Sequence, residues 1–345
     1  MDSRPRPPRL LCLALLSFAS CAAGPARFLR VPKERISWPP ISENPRVEVL
    51  MAYHSTRDVE RSRGFWSSIF GFFLGHDELQ LVSPYGLAVD EKDRLWIADP
   101  GAGGLHRLDL ESGEHLFFRN AGRTKLKTPI GVALGPGGLV FLSDSTLGRI
   151  FVFDREGNYH RKFGSPNELG RPTGIAWDRN EGRLLVLDTT GGRILSFDPT
   201  GKRLGVHGRR GAKPGEFNFP TNLCIDRESR IYITDSMNFR IQILSPAFEP
   251  LTSFGVVGRG PGTFASPKGI AVDSQGHIYV ADGMFDNIQI FDPKGRLLLA
   301  VGSKGSGLGN FYLPTGLYID PKDRIFVADS GNARVQILKF HPREP

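Results

Sequence analysis

The 345-residue chain has three cysteines, four methionines and eight histidines. Three cysteines exclude a disulfide-dense scaffold. Long apolar runs are missing too: Leu10 to Ser20 (LLCLALLSFAS) is apolar throughout but falls short of the ~20 residues a bilayer demands. Nothing between Pro84 and Phe340 sustains a helical period, which sets helical bundles aside. What the chain has in excess is glycine and proline, 41 and 26 residues, so many short elements separated by turns are expected. A hydrophobic content of 40% with 10% aromatics supplies a core and excludes a wholly disordered chain or a fibre. Length alone, at about 150 residues per domain, suggests two domains, a prior that internal repetition defeats.

Repetition dominates. Six segments open on a proline, carry a small residue two places later and continue as a short apolar strand: Pro84 (PYGLAVD), Pro129 (PIGVALG), Pro172 (PTGIAWD), Pro220 (PTNLCID), Pro267 (PKGIAVD) and Pro314 (PTGLYID). A second apolar run follows each and ends in Asp99, Asp144, Asp188, Asp235, Asp282 or Asp329, 15 or 16 residues after its proline. A third run (RIFVFD, RILSFD, RIQIL, NIQIFD, RVQIL) and a less regular fourth complete the unit. These runs are rich in valine, isoleucine and phenylalanine and bounded by turn residues, which reads as strand. An isolated four-stranded sheet cannot bury both faces, so units at this period stack as the blades of a propeller. The expected fold is therefore all-β: a six-bladed propeller of four-stranded antiparallel blades. The sixth unit stops after three strands, and Arg46 to Ala52 (RVEVLMA) is an orphan strand upstream of the first. That strand is expected to close the ring by removing its open edge.

These units resemble NHL repeats, with their proline-x-glycine opening, a strand ending in aspartate and an arginine before the third strand. Pro314 to Leu338 (PTGLYIDPKDRIFVADSGNARVQIL) matches best, together with Pro220 to Leu244. The resemblance implies a propeller; propellers of this kind include protein-binding, RNA-binding and enzymatic members, so it selects no function.

Residues 1–20 read as an export signal: Arg4, Arg6 and Arg9 precede the apolar run. Phe18-Ala19-Ser20-Cys21 resembles the lipobox of bacterial lipoproteins, which implies a lipid on Cys21 and a membrane anchor; cleavage after Ala23 to leave a soluble secreted protein is the alternative. Residues 21–45 suit an extended tether, 46–55 the closing strand, 59–75 (with Phe65, Trp66, Phe70, Phe72 and Phe73) a short amphipathic helix over one mouth of the ring, about 81–340 the repeats, and 341–345 a tail. The net charge of +8 falls to +6 without residues 1–20. A basic surface suits an acidic envelope ligand or protein; export sets nucleic acid aside.

The six copies can be compared with each other. What recurs serves the blade: the aspartates should hold turn geometry, and Arg149, Arg193, Arg240 and Arg334, five residues later, should form structural ion pairs with them. Phe217, Phe264 and Phe311 should pack between blades. The channel mouth is expected at Tyr85, Thr173, Thr221, Asn222, which replaces the recurrent glycine, and Thr315; none is a histidine or carboxylate, so no metal or other cofactor is expected. Departures cluster in blades four and five, where Met237, Phe239, Met284 and Phe285 occupy turns that are elsewhere small and polar. With Arg209, Arg210, Lys213, Arg259 and Lys268 from loops of the same face, they form a candidate patch for an acidic or amphipathic partner, or else pack beneath the 59–75 segment. The expected function is a non-catalytic, envelope-anchored binding scaffold. A lyase- or lactonase-type propeller enzyme with a metal at the mouth, and an RNA-binding propeller, are the alternatives.

Overall fold

A computed structural model describes residues 27–28, 31–40, 46–60 and 78–341. Blade I comprises Leu87–Val89, Arg94–Asp99, Gly104–Asp109 and His115–Phe118. Blade II comprises Pro129–Leu134, Val140–Asp144, Arg149–Phe153 and Tyr159–Phe163. Blade III comprises Pro172–Asp178, Arg183–Asp188, Arg193–Phe197 and Arg203–His207. Blade IV comprises Pro220–Ile225, Ile231–Asp235, Arg240–Leu244 and Pro250–Phe254. Blade V comprises Pro267–Val272, Ile278–Asp282, Asn287–Phe291 and Leu297–Val301. Each is an antiparallel meander in chain order from the channel outward. Blade VI takes Pro314–Ile319, Arg324–Asp329 and Arg334–Phe340 from the C-terminal end and its outer strand, Val47–Tyr53, from the N-terminal end. Val47 pairs with Phe340 and Tyr53 with Val335, so the N-terminal strand closes the ring as expected.

The core is distributed as seams between neighbouring blades. Phe217 lies in the seam between blades III and IV, Phe264 between IV and V, and Phe311 between V and VI, each fully buried. The closing strand contributes Val47 and Val49 to one seam and Tyr53 to the next. Second strands are sandwiched on both faces; Arg94–Asp99 and Val140–Asp144 are buried at every position, and their sequences run apolar without strict alternation.

The N-terminal stretch read as a tether is more engaged than that. Ser37–Trp38 pairs with Glu48 and Val47 and adds a fifth strand to blade VI, with Trp38 packed against the seam beneath it. Arg27–Phe28 pairs with Val59–Glu60, and the Phe28 ring meets Tyr53 edge-on at 6.3 Å. Residues 59–60, the expected start of a helix, are thus strand; 61–75, with residues 1–20 and Cys21, lie outside the described residues.

Candidate functional site

The first strands line a central cavity of about 190 Å³, walled by backbone and by small or aliphatic side chains such as Ala88, Ile130, Val132, Ile175 and Leu223. The proline-x-glycine opening exists because these strands nearly touch. A Cβ on Gly131 would overlap the Thr173 carbonyl of the next blade, and one on Gly316 would overlap the Tyr85 carbonyl across the ring closure. Asn222 stands in the glycine's place in blade IV, and its Oδ1 accepts the Leu223 N–H at 2.9 Å.

Each threonine expected at the mouth meets the hydroxyl that follows its own blade's aspartate. Thr173 Oγ1 meets Thr189 Oγ1 at 2.7 Å, and Thr189 donates to the Pro220 carbonyl of the next blade at 2.7 Å. Thr221 pairs with Ser236, which donates to Pro267 O at 2.8 Å; Thr315 pairs with Ser330, which donates to Pro84 O. Ser145 donates alone to Pro172 O at 2.6 Å. Each hydroxyl after the blade aspartate therefore clips its blade to the next one's proline, and these oxygens are committed to structure.

Blades I and V lack the clip, with Pro100 and Gly283 in place of the hydroxyl, and these same blades carry Tyr85 and Lys268 where blades III, IV and VI have threonine and blade II has Ile130. Burial pushes the Tyr85 hydroxyl up to about 12, slightly offset by Arg171. Burial also lowers the Lys268 pKa; buried Asp282 opposes this and Arg171 adds to it. Among the described residues neither Lys268 nor Arg171 has a side-chain hydrogen bond or ion pair. The mouth is thus marked by a phenol and two cations, with Asp282 offsetting the charge of Lys268. Arg171 precedes its proline, outside the positions compared between repeats, and so escaped sequence reasoning.

The blade aspartates are almost fully buried and hold the turns before and after their strands. Asp144 accepts N–H bonds from Lys127, Thr128 and Leu147; Asp282 accepts them from Ala265, Ser266, Met284 and Phe285; Asp99 from Val82, Ser83 and Ala102. Ion pairs join Arg193 to Asp188 at 3.0 Å, Arg240 to Asp235 at 2.8 Å and Arg334 to Asp329 at 2.7 Å. Arg149 departs from the expected pairing: its guanidinium donates to the Gly164 carbonyl at 2.7 Å and makes no ion pair with Asp144 among the described residues. That bond shows what all four arginines share. Arg193 also holds Glu168 O, Arg240 holds Glu216 O and Arg334 holds Asn310 O, so each fastens a loop between blades, one that leads into its own blade for these three and out of blade II for Arg149.

On the proline-side face, Met237 is 54% exposed and Met284 67%, while Phe239 and Phe285 are half-buried. Val256 and Val257, in the loop joining blades IV and V, are exposed at 63% and 66%. Asn238 Nδ2 donates to Gly211 O at 2.9 Å, which ties the Met237 turn to the loop carrying Arg209, Arg210 and Lys213. Arg209 is partly spent on Glu216 at 2.8 Å, and Arg210 lies over the Phe219 ring at 4.5 Å; Lys213 and Arg259 are exposed. Lys268 belongs to the channel mouth.

Two family models match, the NHL repeat over residues 264–291 and 311–338 and a 6-bladed beta-propeller over residues 136–205. The chain is a six-bladed propeller built with NHL repeats. Over 140 residues, 39% of its length, this NHL propeller is 26% identical to Protein brain tumor of Drosophila melanogaster, and it spans only 13% of that relative. Virginiamycin B lyase from Staphylococcus aureus superposes with a TM-score of 0.55 at 16% identity, covering 77% of this chain and 99% of that one. A luciferin-regenerating enzyme gives 0.58 at 14% identity over 75% and 92%, and a protein of unknown function from Bacteroides thetaiotaomicron 0.59 at 13% over 92% and 76%. At these identities the likeness is one of fold. Among the described residues of the NHL propeller, no three His, Cys, Asp or Glu side chains converge as a metal site. Its buried histidines serve blade I: His106 Nδ1 and His115 Nε2 are 2.8 Å apart, and Tyr53 Oη lies 2.9 Å from His115 Nδ1, bridging the ring closure.

Proposed function

We propose that this NHL propeller is a non-catalytic platform that takes an acidic or amphipathic protein segment on its proline-side face. The observation that carries the reading is the exposure of Met237 and Met284 in equivalent turns of adjacent blades, beside exposed Val256 and Val257. The exposed methionines and valines offer adaptable apolar contact, and the cations of that face that are unpaired among the described residues, Lys213, Arg259, Lys268 and Arg171, suit a partner of opposite charge. The clipped hydroxyls at the mouth fit the same reading, since they are unavailable for acid–base work. Capture from the native cell with Met237→Ser/Met284→Ser tests it: bound partners should fall at least ten-fold against the wild type, and unchanged capture would sink it.

The platform is further proposed to be exported and held at a bacterial envelope membrane by a lipid on Cys21. Cys21→Ser should then move the protein from the membrane to the soluble fraction. A propeller enzyme is the second reading, favoured by the fold shared with the lyase and the luciferin-regenerating enzyme. A stoichiometric zinc or calcium in the purified protein, lost to chelator together with a catalytic activity, would support it.

A further inference from the structure

The opposite face, where the first strands end, carries its own internal pattern. In five blades the first strand ends at an aspartate locked to an arginine or, in blade V, a histidine four or five residues later. Asp90 meets Arg94 at 2.7 Å, Asp178 meets Arg183 at 3.2 Å, Asp226 meets Arg230 at 2.6 Å, Asp273 meets His277 at 2.8 Å and Asp320 meets Arg324 at 2.7 Å. Blade II breaks the series. Its turn reads Gly135-Pro136-Gly137-Gly138-Leu139, with neither the carboxylate nor its basic partner.

A cleft of about 490 Å³ opens at that turn, well within the size range of small-molecule sites. Trp177 and Tyr318 line both this cleft and the channel, so the cleft sits at the channel's lower mouth. Trp177 is held flat by stacking on Phe141, with ring centroids 5.8 Å apart and planes within 5°, and Tyr318 Oη donates to the Val89 carbonyl at 3.3 Å. Lys92, Arg155 and Arg179 border the cleft from blades I, II and III. Arg155 lies across Gly138, at φ +80°, where any Cβ would overlap the guanidinium. Among the described residues none of these three cationic groups has a hydrogen bond or an ion pair. Of the carboxylates at the rim, Asp90 is spent on Arg94 and Trp96, and Glu91 is exposed. The cleft therefore keeps an excess of positive charge beside an aromatic wall, in the one blade that lacks the fold's own carboxylate.

We propose that this cleft binds a small anion with a flat apolar body. Its carboxylate or phosphate takes the place of the missing blade II carboxylate among Arg155, Arg179 and Lys92, and its ring lies against Trp177. The site is on the face opposite Met237 and Met284 and stands whether or not those residues dock a partner.

Calorimetric titration of the full chain with 2-naphthoate, 2-naphthyl phosphate and neutral 2-naphthylmethanol tests the proposal. One molecule of at least one anion should bind per chain, at least ten-fold tighter than the alcohol, and the stronger anion identifies the head group the cleft is built for. Arg155→Gln and Arg179→Gln should each weaken that anion about ten-fold and leave the alcohol unchanged, whereas Trp177→Leu should weaken every ligand that binds. Met284→Ser should change nothing here. Neither anion binding at millimolar concentration, equal binding of the alcohol, or anion affinity unmoved in both arginine variants would overturn it. The variants change exposed or half-buried side chains, and a thermal unfolding midpoint within a few degrees of wild type certifies that each is folded.

Discussion

Ring closure by the N-terminal strand can be measured as stability. Val47 and Val49 are 1% and 3% exposed and pack into the seam with Leu338, Phe340 and Val301, whereas Leu50, next to the bulge in the same strand, is 38% exposed. Val→Ala removes two methyl groups, worth ~0.8 kcal/mol each by transfer, and leaves a cavity in a seam held by rigid strands, so about 2 kcal/mol per site follows. The double variant Val47→Ala/Val49→Ala should lose about 4 kcal/mol, less any coupling between two side chains of one cluster. For a domain of this size that is roughly 8 °C in Tm. Leu50→Ala should cost under about 0.5 kcal/mol. Urea unfolding followed by tryptophan fluorescence gives both values. A double variant within 0.5 kcal/mol of wild type, or Leu50→Ala as costly as the double variant, would refute the claim that the strand's inward face seals the ring.

A channel glycine and a loop glycine make a paired prediction. Gly131→Ala, whose Cβ would overlap a neighbouring carbonyl, should cost about 2 kcal/mol or more, while Gly260→Ala, with open space around it, should fall within about 0.5 kcal/mol of wild type or stabilise slightly, by thermal unfolding. Asp93 bridges blade I to Lys322 at 2.8 Å and Arg324 at 2.6 Å of blade VI; burial opposes its ionisation, but these two partners outweigh that and hold its pKa below the usual value of 3.8. A carboxyl depressed in the folded state stabilises above its unfolded pKa, and that contribution is lost as pH falls through the folded pKa. Asp93→Asn should therefore cost up to about 1 kcal/mol at pH 7 and converge with wild type as pH falls through the lowered folded pKa, in denaturant midpoints. Lys268 has the opposite sign: its charged form is disfavoured in the fold at neutral pH, a penalty relieved as pH rises through the lowered folded pKa toward 10.5. Lys268→Met should raise Tm at pH 7 and weaken capture of the partner, the signature of a residue kept at a cost in stability.

The fold was legible because each blade repeats its punctuation. Six prolines and six aspartates in register marked the strands, and the missing fourth strand of the last unit pointed to Val47–Tyr53. Ser37–Trp38 was hidden because a two-residue strand has no period to read. The threonines drew attention as polar groups at a mouth, yet their partners lie on another strand and on the next blade, as Thr189 to Pro220 O shows, and no sequence interval encodes that distance. Arg149 matched its repeat position, yet its guanidinium reaches the Gly164 carbonyl, a partner no sequence interval encodes. The lower face was readable in principle: Gly135 interrupts a run of aspartates at the ends of the first strands, but an absent carboxylate carries no motif of its own.

The platform reading is tested most directly by photo-crosslinking in the native cell, with a benzophenone side chain placed at Met284 or at Leu298. Both positions are in blade V and both are exposed, at 67% and 53%, but Met284 is on the proline-side face and Leu298 on the outer strand. Discrete adducts from position 284, absent from 298 and lost when Met237→Ser is added, are the predicted result. Equal labelling at the two positions, or no adduct at 284, would contradict it.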